Sequence, residues 1–204
     1  MPAYDPSTAL IVVDVQNDFA DPRGSLYVTA GEEVVPLINA EIERARTAGA
    51  RVFHTQDWHP QSTPHFQKDG GIWPVHCVQE TWGADFHPSL SVGGPVVRKG
   101  SNGEDGYSGF TMRDPQTGET APTALGELLG EAGVTQLVVA GLATDYCVKQ
   151  TVLDARERGY PVTVLQNAIR AVNLQPTDGD RAIEEMLASG ALLESRVTVS
   201  AGRD

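Results

Sequence analysis

The sequence predicts an α/β fold in which helices cover both faces of a parallel β-sheet. Strand-like and helix-like segments alternate along the chain. The strand-like segments are short apolar runs without polar alternation, which is typical of strands buried on both faces. Alternating β and α units of this kind connect parallel strands by helical crossovers, so both faces of the sheet become covered.

Six strands are predicted from short runs rich in Val, Ile and Leu. They are Ala9–Val13, Arg51–His54, Pro95–Val97, Gln136–Ala140, Val162–Leu165, and Ala191–Leu193 together with Val197–Val199.

Four helices are predicted between these strands, because apolar residues recur there at spacings of three or four. Each pattern stops at a glycine, which can adopt the left-handed conformation that ends many helices. The four patterns run from Val34 to Ala45, Leu125 to Leu129, Val148 to Ala155 and Ile183 to Leu187, and they end at Gly49, Gly133, Gly159 and Gly190.

Composition narrows the class of protein. The 204 residues suit one domain, 1–204. A formal net charge of −12 argues against binding to nucleic acid or to an anionic membrane, since both need basic surface. The chain has no apolar run of transmembrane length, no recognisable signal peptide and only two cysteines. We therefore expect a cytoplasmic protein. Its composition does not distinguish a monomer from a homo-oligomer.

One connection is unusually long. Residues 55–95 contain three tryptophans and four histidines, and loops of this length are usually functional or disordered. Asp57, His59, His65 and His76 fall within it. Nitrogen and oxygen ligands of this kind suit one divalent metal ion such as zinc, iron or manganese. The alternative is a polar loop whose histidines lie at the surface.

Three further polar residues follow predicted strands, where ligands bind in open parallel sheets. Asp14 follows the first strand, Lys99 the third and Cys147 the fourth. With Thr144 or Asp145 as N-cap, Cys147 would lie in the first turn of a helix. There the thiolate is favoured and backbone amides can stabilise an oxyanion.

Each of these residues also has an ordinary structural interpretation. Cys147 could be a small buried thiol, and Asp14 could cap a local turn. A buried Asp14 needs a partner, however, and Lys99 can provide it. Together the three residues could transfer a proton and attack a carbonyl carbon. Cys77 lacks these features and is interpreted as structural.

Seven segments, in order over residues 8 to 190, resemble the isochorismatase-like cysteine hydrolases. The segments that cover the proposed metal ligands further resemble the nicotinamidases (pyrazinamidases) within that group. The segments are Asp14–Phe19, Asp57–His59, Trp73–Cys77, Gly83–Pro88, Lys99–Gly100, Tyr107–Phe110 and Gly141–Val148.

The resemblance implies a three-layer α/β/α sandwich with a six-stranded parallel sheet, and hydrolysis of nicotinamide, and also of pyrazinamide, through a cysteine thioester. Cys147 would be the nucleophile, Asp14 the general base and acid, and Lys99 its charged partner. The amides of Ala143 and Cys147 would form the oxyanion hole, and a cis peptide bond is implied between Leu142 and Ala143.

The resemblance also assigns the metal ligands and the substrate pocket. Asp57, His59 and His76 match metal ligands, whereas His65 matches a position that binds metal in some members and not in others. The ion would hold the pyridine nitrogen of the substrate. The residues matching the aromatic pocket are Phe19, Trp73 and Tyr107.

Two features depart from the family pattern. Tyr146 stands where some relatives have His, and Ser101–Asp105 is an unusual segment that contains Gly and acidic residues. Two alternatives to a nicotinamidase remain. One is a sister hydrolase acting on another small amide or on an isochorismate-type substrate. The other is a non-catalytic binding protein on the same fold, which would be expected to lose Asp14, Lys99 or Cys147.

Overall fold

The structure is a computed structural model that describes residues 4–195. Its centre is a six-stranded sheet. The six strands are β1 (Thr8–Val13), β2 (Arg51–Asp57), β3 (Val96–Lys99), β6 (Gln136–Leu142), β7 (Val162–Arg170) and β8 (Leu192–Glu194). They lie in the order β3-β2-β1-β6-β7-β8, and every neighbouring pair is parallel.

The predicted strands are confirmed, and several are longer than their apolar runs. Because β2 continues to Asp57 and β3 to Lys99, both side chains sit on paired strands rather than on loops. The predicted continuation at Val197–Val199 lies outside the described residues.

The four predicted helices are also confirmed, and the glycine that follows each of them has a positive φ, between 66° and 88°. The helices are α2 (Val34–Thr47), α3 (Leu125–Glu131), α4 (Lys149–Glu157) and α5 (Asp178–Ala188). The sequence did not predict the one-turn helix α1 (Asn17–Ala20) or the antiparallel pair β4 (Thr111–Arg113) and β5 (Thr120–Pro122).

Two hydrophobic cores lie on opposite faces of the sheet. Alternate residues of β1 point into different cores: Leu10 and Val12 pack with α2, whereas Ile11 and Val13 pack with α3 and α4. All six residues of β1 are buried. This burial on both faces explains why the strand reads as a continuous apolar run, and it confirms the three-layer arrangement. None of the helices within residues 4–195 is long and apolar enough to cross a membrane.

The strand order reverses between β1 and β6. From β1 the chain builds outward to β2 and β3 on one side, and later returns to add β6, β7 and β8 on the other. Crossovers then leave β1 and β6 in opposite directions, which opens a crevice beyond their carboxyl ends. Asp14 and Ala143, the first residues after these strands, lie at this crevice.

The connection between β2 and β3 has no regular strand or α-helix. Isolated bridges hold it in place, joining His59 to Val78, Phe66 to Trp73, and Gln16 to Phe86. The bridge from Gln16 ties the segment to the residues that follow β1, so the connection lies over the carboxyl edge of the sheet.

Candidate active site

Three strand ends bring Asp14, Lys99 and Cys147 into contact. The Nζ atom of Lys99 lies 2.8 Å from Oδ2 of Asp14 and 3.5 Å from Sγ of Cys147. All three residues are buried, with exposed fractions of 0%, 1% and 6%. Thr55 donates a hydrogen bond of 2.6 Å from its hydroxyl to Oδ1 of Asp14, which fixes the carboxylate. Lys99 also contacts Oδ1 of Asp57.

Burial determines the protonation of this group. It raises the pKa of Asp14, although the nearby Lys99 opposes the shift. Burial acts to lower the pKa of Lys99, but Asp14 and Asp57 reverse this and raise it well above its usual value, so the ammonium stays charged.

The expectation of a resting thiolate at Cys147 is wrong. Burial raises the pKa of this thiol well above its usual value. Lys99 acts in the opposite direction, but Asp14 and Asp57 add to the rise. Since desolvation and two carboxylates outweigh one ammonium, the sulfur keeps its proton in the free enzyme.

The turn that carries Cys147 also differs from the expectation. It is a single π-helical turn, Thr144–Val148, placed before α4, and its N-cap is Ala143 rather than Thr144 or Asp145. The Val148 amide donates to the Ala143 carbonyl at 3.0 Å. Asp145 instead accepts hydrogen bonds from the amides of residues 172 and 173, at 2.9 and 2.8 Å, because its side chain points to the loop after β7. The cis peptide bond between Leu142 and Ala143 is confirmed.

A buried cluster of three histidines lies beside this group. One ring nitrogen from each of His59, His65 and His76 can be chosen so that all three lie within 4.8 Å of one another. Oδ2 of Asp57 is 3.8 Å from Nε2 of His59. The Asp57 carboxylate therefore lies between Lys99 and the histidines.

Hydrogen bonds fix two of the three imidazoles in one tautomer. Nδ1 of His76 lies 2.8 Å from the carbonyl of Pro74, which can only accept, so Nδ1 carries the hydrogen. Nδ1 of His65 lies 2.9 Å from Oδ1 of Asp105 in the same way. In the neutral form of both rings, Nε2 then carries the lone pair. Neither ring nitrogen of His59 has a hydrogen-bond partner within residues 4–195, although both are buried.

These features fit a divalent transition metal. Buried imidazole nitrogens without a partner are costly unless something coordinates them. Three imidazoles and one carboxylate are a donor set that suits zinc, iron or manganese. The residues that could hold the ion are Asp57, His59, His65 and His76.

Two members of the histidine cluster, His65 and His76, line one pocket together with Cys147. Nε1 of Trp73 donates to the Tyr107 hydroxyl at 3.0 Å. Tyr146, the departure noted in the sequence, packs edge-on against both rings, with centroid distances of 4.8 and 5.2 Å. The complete lining is Phe19, Leu26, Asp57, His65, Trp73, His76, Tyr107, Ala143, Tyr146, Cys147 and Val172. The pocket can therefore take a small flat molecule between aromatic walls.

Sequence reasoning missed two residues that hold this site together. Gln16 donates to the Asp57 carbonyl at 2.7 Å and accepts from the Asp57 amide at 2.8 Å. Asp18 accepts from the amide of Cys77 at 2.7 Å, next to His76. Gln16 and Asp18 both lie in the polar segment that directly follows the apolar strand β1. Polar residues at the end of a buried strand were the available signal in the sequence.

Comparisons with known proteins identify relatives of this chain. Residues 8–196 match the Isochorismatase domain family. The chain is 39% identical to the nicotinamidase of Escherichia coli (strain K12), over 92% of this chain and 94% of that protein. It superposes on the zinc complex of the pyrazinamidase of Pyrococcus horikoshii with a TM-score of 0.83, at 37% identity over 94% and 100% of the two chains. With PnC1 from L. infantum in complex with nicotinate, the TM-score is 0.85, at 34% identity over 95% of each chain.

Proposed function

The chain belongs to the isochorismatase family, and from this premise we propose that it is a metal-dependent amidase that hydrolyses nicotinamide to nicotinate and ammonia, and also accepts pyrazinamide. One observation carries the proposal. A single aromatic pocket has the thiol of Cys147 in its lining together with His65 and His76 of the histidine cluster. A flat ring with a carboxamide on one side and a basic nitrogen on the other matches both features. The names of the relatives support the same substrate class.

The first half-reaction forms a thioester. The Cys147 proton passes to Asp14 while the sulfur attacks the amide carbon. The amides of Ala143 and Cys147 receive the developing oxyanion, and Asp14 then protonates the departing nitrogen as ammonia. Lys99 stays cationic and stabilises the negative charge on Asp14 and on the sulfur. In the second half-reaction Asp14 takes a proton from water, hydroxide attacks the thioester, and the C–S bond breaks as the proton returns to the sulfur. The nicotinic acid so formed releases its own proton to solvent and leaves as nicotinate.

The pocket residues position the substrate. Asp57, His59, His76 and His65 would hold one divalent ion, which supplies Lewis-acid coordination to the pyridine nitrogen. The aromatic residues that flank the ring are Phe19, Trp73 and Tyr107. Flat contacts to these rings, together with the direction set by the histidine cluster, would place the carboxamide at Cys147. Since this binding immobilises the reacting carbon beside the sulfur, it lowers the entropic part of the barrier.

An ammonia-release assay tests the proposal. We expect release from nicotinamide and pyrazinamide, loss of release in Cys147→Ala, and retention in Cys77→Ala, which removes the other thiol without touching the pocket. Prolonged chelation should lower substrate affinity, and a divalent metal should restore it.

Three results would contradict the proposal. Normal turnover by Cys147→Ala would exclude the nucleophile. A panel in which another small amide is hydrolysed and nicotinamide is not would favour the sister hydrolase. Absence of hydrolysis with every amide, in metal-loaded protein that still binds nicotinamide, would favour a binding protein.

A further inference from the structure

Asp105 is held rigidly beside the histidine cluster. Its amide and carbonyl pair with the carbonyl and amide of Arg113 in an antiparallel bridge. Its Oδ2 accepts from Nη2 of Arg113 at 2.8 Å. Its Oδ1 accepts from the amide of Gly106 at 2.8 Å and faces Nδ1 of His65 at 2.9 Å. The carboxylate is therefore fixed by the backbone and by one cation, with little freedom to turn away.

The contact with His65 has a direct chemical consequence. A carboxylate can only accept, so His65 must present its Nδ1 hydrogen to Asp105, and in the neutral imidazole the lone pair is then on Nε2. The His65 ring stacks on His59, with centroids 4.9 Å apart and planes inclined by 23°. A carboxylate behind an imidazole also makes the distal nitrogen a stronger donor to a metal.

Neighbouring acids on the same part of the chain do not share this position. Glu104 accepts two hydrogen bonds from Asn102, at 2.8 and 2.9 Å, and Asp114 accepts from the amides of Gln116 and Thr117. Both only close local turns. Of Glu104, Asp105 and Asp114, only Asp105 reaches a histidine of the cluster.

We propose that Asp105 is a positioning residue of the metal site, which makes His65 a ligand by fixing its tautomer and ring direction, and that Arg113 holds Asp105 in place. The inference rests on the metal-binding part of the proposed function. It assigns a role to the unusual segment before Tyr107. It also connects the metal site to the β4–β5 hairpin, since Arg113 is the last residue of β4.

The test measures zinc affinity by competition with a chelator, using purified metal-free protein. Asp105→Asn should weaken zinc binding by about 10–100-fold, the usual effect of removing an outer partner of a ligand. Glu104→Gln removes the same charge from the adjacent residue and should leave the affinity unchanged. In a His65→Ala background, Asp105→Asn should cause no further loss, because its effect passes through the imidazole.

Several outcomes would overturn the inference. One is unchanged zinc affinity in Asp105→Asn, and another is an equal loss with and without His65. If Asp105→Asn does not fold, Arg113→Met is the variant to test. It removes the cation that holds Oδ2 of Asp105, and the Arg113 side chain that it replaces is 55% exposed. Arg113→Met should weaken zinc binding less than Asp105→Asn does, and this loss must also vanish in a His65→Ala background. Wild-type protein that binds no zinc would reject this inference and the metal dependence together. Wild-type protein that binds zinc and releases ammonia, with an unaffected Asp105→Asn variant, would reject the inference alone.

Discussion

Two glycines that follow β3 provide a matched test of the histidine cluster. Gly100 and Gly103 both have a positive φ, of 78° and 91°. A Cβ atom on Gly100 would lie 2.6 Å from Cε1 and Nδ1 of His59, whereas a Cβ atom on Gly103 would meet nothing within 4 Å. Alanine at either position imposes the same kind of backbone strain, but only Gly100→Ala pushes on a proposed ligand.

The size of the effect follows from the distances. Ordinary contact begins near 3.4 Å, so the His59 ring must move by about 0.8 Å to make room. Metal–ligand bonds tolerate only about 0.2 Å. We therefore expect Gly100→Ala to weaken zinc binding by at least about 10-fold, comparable with losing the support of one ligand. Both variants should lose about 1–2 kcal/mol of unfolding free energy from the left-handed backbone.

The assay pairs chelator competition with urea unfolding of the metal-free proteins. Gly103→Ala should lose stability and keep its zinc affinity. Gly100→Ala should lose both. Equal zinc affinities for the two variants would refute the argument, because it would mean that the ring of His59 either relaxes without cost or does not coordinate the ion.

Two further variants probe buried charge. Lys99→Met should lower the unfolding free energy of the metal-free protein by about 3–5 kcal/mol, since it leaves two buried carboxylates without their cation. Losing the cation would raise the folded pKa of Asp14 further above its unfolded value, so the variant's loss of unfolding free energy relative to wild type should grow as pH rises. A loss that does not depend on pH would contradict this. For His54, burial lowers the pKa to about 4 from 6.5. The folded protein then binds fewer protons than the unfolded chain, and stability should fall by up to about 3 kcal/mol as pH drops from 6.5 toward 4. His54→Gln should remove that acid-induced loss in urea titrations at several pH values, and an unchanged acid slope would exclude His54 as its source.

Much of the fold could be predicted because burial leaves a direct pattern in the sequence. The alternation of β1 residues between two cores requires apolar side chains at every position, which is the continuous run from Ala9 to Val13. The helix ends could be predicted for a similar reason, since the glycine that follows each helix adopts a positive φ, which glycine tolerates. The β4–β5 hairpin left no such pattern, because its strands have three residues each and β5 is exposed.

The residues of the candidate site could be located, but their partners could not. Asp14, Lys99 and Cys147 each follow or end a strand, so topology alone brings them to one edge. Asp105 reaches His65 through the shape of a loop forty residues further along the chain, and nothing local in the sequence encodes that contact. The N-cap assignment was wrong for a related reason. Asp145 accepts hydrogen bonds from the amides of residues 172 and 173, which are distant from it in the sequence.

Protonation was the hardest property to predict, and charge counting explains the outcome. With a neutral thiol, the buried group of Asp14, Asp57 and Lys99 carries one net negative charge. Releasing the Cys147 proton to solvent would add a second charge in a desolvated site, which is costly, whereas passing it to Asp14 keeps the total constant. The raised pKa values of Asp14 and Cys147 agree with this transfer.

Asp14→Asn separates the two roles of this carboxylate. Removing one negative neighbour should lower the Cys147 pKa, so the pH profile of thiol alkylation should shift toward neutral pH relative to that of the wild-type protein. Ammonia release should nevertheless be lost, because no group remains to carry the proton to the leaving nitrogen. A variant with more thiolate and no turnover would identify Asp14 as the proton carrier. Substantial turnover in Asp14→Asn, at any pH, would show that the carboxylate acts only through its charge.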